Sequence, residues 1–199
     1  MRIPGRSVRV PSATAPRPPP GGSIVRVNTS ADLSHLLSST TDAFGTSLHA
    51  LLDADRHQAR QVLRASLDRR TLAAETARAC RAHAWVPAPQ LHGELRYVAD
   101  IARVGALCDD LARAIVGSDA VRLLPTQRME AAVLLDAGGQ RLRQLADGAA
   151  GSASCHGYRR CGSALAEVAD RGGRDRSTTM VLCGALAVVL LQASRHACR

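Results

Sequence analysis

Apolar residues recur at helical spacing along most of the chain. Leu33, Leu37, Phe44, Leu48 and Leu51 mark a first helix running to about Asp55. Asn28-Thr29-Ser30 offers capping side chains at its start, and Asp32 falls in its first turn. A second helix is predicted from about Arg56 to Ala84. Its apolar marks are Val62, Leu63, Leu67, Leu72, Ala73 and Ala77, and arginines fill its other faces. Trp85-Val86-Pro87 with Pro89 breaks it, because proline lacks the donor that a helix interior needs.

The third predicted helix covers 93–116 and carries the clearest pattern. Val98, Gly105 and Ala112 lie a heptad apart, as do Ile101, Cys108 and Ile115; these are a and d positions. Tyr97, Val104 and Leu111 fill the flanking g positions, so the stripe is wide enough for more than one neighbour. Gly117-Ser118-Asp119 stops it. A fourth helix follows Pro125 to about Asp147, weakened in the middle by Gly138-Gly139. A short fifth helix is expected over 158–170 and a last one over about 178–198. The last contains a 12-residue apolar run, "MVLCGALAVVLL". Spanning a bilayer takes about 20 residues, so the run reads as a buried bundle helix.

The pattern is three helices and then three more. It predicts an all-α fold built from a duplicated three-helix unit: a first repeat over 29–118 and a shortened second repeat over 119–199. Residues 1–28 are basic and rich in Pro, Gly and Ser, with no acid before Asp32, and read as a disordered or extended arm.

Composition narrows the core and the partners. Hydrophobic residues make up 46% of the chain and aromatic ones 2%, so the core is aliphatic and rich in alanine. All 26 basic residues are arginine, and the formal net charge is +9. Such charge permits attraction to anions without specifying one. Aromatic stacking platforms are missing, which weakens a nucleic-acid reading; no nucleic-acid partner is expected, and a basic nucleic-acid-associated protein stays as an alternative function. Cys80, Cys108, Cys155, Cys161, Cys183 and Cys198 form no CxxC pair, and the first 30 residues lack the apolar segment of a secretory signal. Reduced thiols in a cytoplasmic protein are the expectation. Cys155, His156 and Cys161, with His196 and Cys198, are zinc-ligating residue types at spacings unlike those of structural zinc sites. No GxSxG, GxxxxGK[ST] or HExxH occurs, so no catalytic residue and no enzyme activity is predicted.

At several places the chain resembles the PhoU family of phosphate-signalling regulators. "ALLDAD" at 50–55 is similar to the family's end of helix one. "WVPAPQLHGELR" at 85–96 is similar to its entry into helix three, where a proline shortly precedes an acidic-Leu-Arg triplet, here Glu94-Leu95-Arg96. The family then carries a Glu-Arg-x-x-Asp segment, which falls on Asp109 through Arg113. "LLQASRHAC" at 190–198 resembles the closing helix, with Leu191 at the first acid and Arg195 at the second.

The resemblance implies two three-helix bundles in tandem and a homodimer. It implies negative regulation of phosphate uptake and starvation signalling, through a sensor histidine kinase and a phosphate-transporter ATPase. Membrane association would then be peripheral, through those partners.

Family members hold metal ions on paired acidic segments. Here Asp109 and Asp110 remain, whereas Arg113, Leu191 and Arg195 replace acids. An arginine puts a permanent positive charge where a cation would sit. The spacing predicts an i,i+4 pair between Asp109 and Arg113. Asp109 and Asp110 stay as candidates for weak cation binding only, and no cofactor is predicted.

Overall fold

The computed structural model describes residues 22–82, 87–118, 122–149, 155–174 and 177–197, with side chains over 31–82, 87–118, 122–146, 161–174 and 177–193. The described residues are all-helical, in seven helices: α1 (Gly22–Asp53), α2 (Arg56–Arg64), α3 (Ser66–Ala82), α4 (Ala88–Gly117), α5 (Pro125–Ala149), α6 (Cys155–Gly172) and α7 (Thr178–Ala197). Helix α1 begins at Gly22, ahead of the start expected after Ser30, so residues 22–28 of the expected arm are helical. The arm from 1 to 21 lies outside the described residues.

Four long helices make the centre. Helix α1 packs on α4 and α5, and α7 packs on the same two, whereas the backbones of α1 and α7, or of α4 and α5, do not approach each other. The four therefore form a ring. Helices α2 and α3 lie over the α1–α4 edge, and α6 lies over the α5–α7 edge. One diagonal is bridged by a side chain, the Tyr97 hydroxyl donating to the Leu145 carbonyl at 3.2 Å.

The aliphatic pattern explains this burial. Leu37, Phe44, Leu48 and Leu51 of α1 are buried, and all nine a, d and g residues of α4 are buried too. In α7, Met180, Cys183, Leu186, Ala187, Val189, Leu190 and Ala193 face the core. These residues belong to one continuous cluster that takes in α5 and α6 as well. The 12-residue apolar run thus packs as a bundle helix, and no helix among the described residues is long and apolar enough to cross a membrane.

Two local features depart from expectation. The helix predicted over 56–84 is interrupted at Ala65, which carries no Pro or Gly signal, and becomes α2 and α3. The break shifts the helical phase. Leu67, expected on the apolar side, is 71% exposed, and Arg69 is buried in its place. The other feature is the corner between α1 and α2. Ala54 takes a left-handed conformation (φ 55°), and the Asp55 N–H donates back to the Ala50 carbonyl at 2.9 Å, closing the end of α1. The Asp55 carboxylate then accepts from the backbone N–H groups of His57 and Gln58 and caps α2 with no intervening loop.

Glycines set the close approaches in the second half. A Cβ on Gly138 would lie 2.3 Å from the Phe44 ring, so this glycine lets α1 seat its one phenylalanine on α5. Gly172 and Gly184 bring α6 and α7 into backbone contact. A Cβ on Gly172 would come within 2.7 Å of both the Gly184 Cα and the Met180 carbonyl oxygen.

Candidate functional site

The adjacent acids of α4 have opposite fates. Asp109 is 1% exposed. It lies on the side of α4 that faces α3, and its Oδ1 accepts from the Arg69 guanidinium. Arg70 approaches its Oδ2 at 3.6 Å from a solvent-exposed position. Asp110 is half-exposed and pairs with Arg113 one turn on. The expected Asp109–Arg113 pair is therefore replaced by Asp110–Arg113, an exposed contact of small energetic weight.

Arg69 is the centre of the arrangement. The break at Ala65 leaves carbonyls at the end of α2 without helical donors. Arg69, 6% exposed, donates to one of them, the Val62 oxygen, at 2.8 Å, and also reaches Asp109. One guanidinium thus ties the end of α2, the start of α3 and the middle of α4 together. A charge taken out of water is costly unless paired, and here each charge is the other's partner. Gly105 leaves space beside them. The Arg69 side chain and the Thr40 hydroxyl of α1 both lie 3.9 Å from where its Cβ would be.

Above the break lies a polar groove of about 340 Å³ between α1 and α2. Its walls include His35, Ser38, Asp42, Thr46 and Gln61, with Arg69 at the floor. A second groove, of about 480 Å³, lies where Arg122 and the start of α7 meet the end of α4.

The remaining sequence-derived positions do not converge on this site. Leu191 packs against the core of the second half. Arg195 is on α7, but its side chain lies outside the described residues. Of the helix-entry triplet, Leu95 packs against the core, Arg96 is exposed and Glu94 is half-buried. Burial raises the Cys80 thiol above its ordinary range, and the Glu94 charge adds to the effect.

The donor set does not fit a metal. Asp109 faces inward onto two arginines, Asp110 is held by Arg113, and Leu191 offers no oxygen. No group of three His, Cys, Asp or Glu side chains suited to a metal occurs among the described residues. The side chains of Cys155, His156, His196 and Cys198 lie outside them. Cys108 and Cys183 are buried, and desolvation pushes both thiols up to about 12.

Spacing alone did not mark Arg69 as the partner of Asp109, nor Thr40 and Gly105 as the residues beside the pair. A signal for Asp109 itself was present: it occupies an e position, beside the apolar stripe, whereas Asp110 at f points away. No family model, curated protein or solved structure matches the chain.

Proposed function

We propose that this chain is a PhoU-like regulator that acts through protein contacts, damping phosphate uptake and the starvation response by engaging a sensor histidine kinase and a transporter ATPase. The helix order supports the finer fold reading of two three-helix bundles in tandem. In each half a long helix is followed by an outer element and a second long helix, and the outer element covers only its own half's pair. That equivalence of α1, α2–α3 and α4 with α5, α6 and α7 carries the proposal, together with the residue matches at 50–55, 85–96 and 109–113. In this reading the protein is cytoplasmic and forms a homodimer.

The test is phosphate uptake and starvation-promoter output in a strain lacking the gene, grown in ample phosphate. Raised uptake and output, restored by the intact gene, support the proposal. Unchanged values in a strain without a second copy contradict it.

A second reading keeps the bundle but changes the partner. It is favoured by the inward-facing Asp109, which removes a family metal ligand from the surface. Co-purification of the kinase or the ATPase with the tagged chain would decide against this alternative.

A further inference from the structure

Beside the Arg69–Asp109 pair is a small cavity of about 30 Å³, lined by Leu36, Thr40, Arg69, Gly105 and Asp109 and bordered towards solvent by Arg70 and Ala106. Two polar atoms in its wall, Thr40 Oγ1 and Arg69 Nε, are buried and have no hydrogen-bond partner among the described residues. Their residues are 1% and 6% exposed. A buried donor or acceptor left unsatisfied is costly, and native interiors rarely keep two together. The volume suits one water molecule, which needs two to four polar partners.

We propose that this cavity is a binding site for a single structural water. Arg69 Nε–H donates to the water oxygen, and the water hydrogens turn to Thr40 Oγ1 and the Asp109 carboxylate. The charges in the wall select a neutral occupant. Asp109 opposes an anion, and Arg69 and Arg70 oppose a cation. The water joins α1 to the α3–α4 ion pair, so three helices share one polar network. Gly105 borders the space, and a methyl group there would lie 3.9 Å from both Arg69 Nε and Thr40 Oγ1. This inference stands independently of the regulatory reading.

The deciding experiment is a crystal structure of the full chain at a resolution that shows ordered water, with melting of Thr40→Val, Gly105→Ala and the double variant. The expected result is a density peak about 2.7–3.2 Å from both Thr40 Oγ1 and Arg69 Nε. Thr40→Val then lowers Tm by about 2–4 °C, because it removes one partner of the water. In the Gly105→Ala background, where the methyl group displaces the water, that loss disappears. No peak, or a Tm raised by Thr40→Val in the native background, would overturn the proposal. The second outcome would mean that the hydroxyl is merely stranded and better replaced by a methyl group.

Discussion

The two halves of the molecule close their helices by different means. The first half uses charge: a buried arginine reaches across a helix break to a buried aspartate. The second half uses the absence of side chains: Gly172 and Gly184 let α6 and α7 touch backbone to backbone. Each holds an outer element onto one central helix, α4 in the first half and α7 in the second. They differ in how they fail. An ion pair loses most when one partner goes and the other is stranded. A glycine contact fails when anything is added to it.

That difference can be broken open by mutation. Asp109→Ala should have the largest effect, a loss of about 3–5 kcal/mol in urea unfolding, because Arg69 keeps its charge in the core. The double variant Arg69→Met with Asp109→Leu should recover most of that loss, since an apolar pair of similar size strands no charge. In the second half, Gly172→Ala should cost about 3 kcal/mol, the upper end for overpacking, because the obstructing atoms are backbone. No second substitution of a side chain should rescue it. Equal rescue in both halves would erase the distinction.

Smaller effects sharpen the picture. Ala54→Gly should stabilise the chain by about 1 kcal/mol, because glycine adopts the left-handed conformation without the Cβ penalty. Thermal melting would show it as a rise in Tm. The thiols report on the core shared by the halves. Cys108 of α4 and Cys183 of α7 titrate near 12 when folded, against an ordinary value of 9.0. A folded pKa raised in this way gives stability that is complete below about pH 9 and lost as pH climbs towards about 12. Unfolding free energy should therefore fall over that alkaline window. A Cys108→Ser, Cys183→Ser variant should show a weaker decline.

Much of the central ring was legible in the chain. The a, d and g residues of α4 and the leucines of α1 mark the buried faces by spacing alone, since period fixes which side chains share a face. The same periodicity puts Asp109 at an e position and Asp110 at f, yet the two acids were read jointly as cation candidates and Asp109 was paired with Arg113, which the structure gives to Asp110. Two things could not be read. The break at Ala65 has no proline or glycine to announce it, and its stabilisation comes from Arg69, a residue type that ordinarily lies outside. Gly138 looks like a weak point of α5 by propensity, yet it is the seat of the Phe44 ring, and only the tertiary contact reveals that.

The two differently held halves close around one continuous core to which both contribute. Phe44 of the first half fills the notch at Gly138 of the second, and α4 lies along α7. The most direct measurement is urea unfolding of residues 120–199 expressed alone, set beside the full chain. One cooperative transition is expected for the full chain and none for the fragment. A cooperative transition of the fragment at a midpoint near that of the full chain would contradict it.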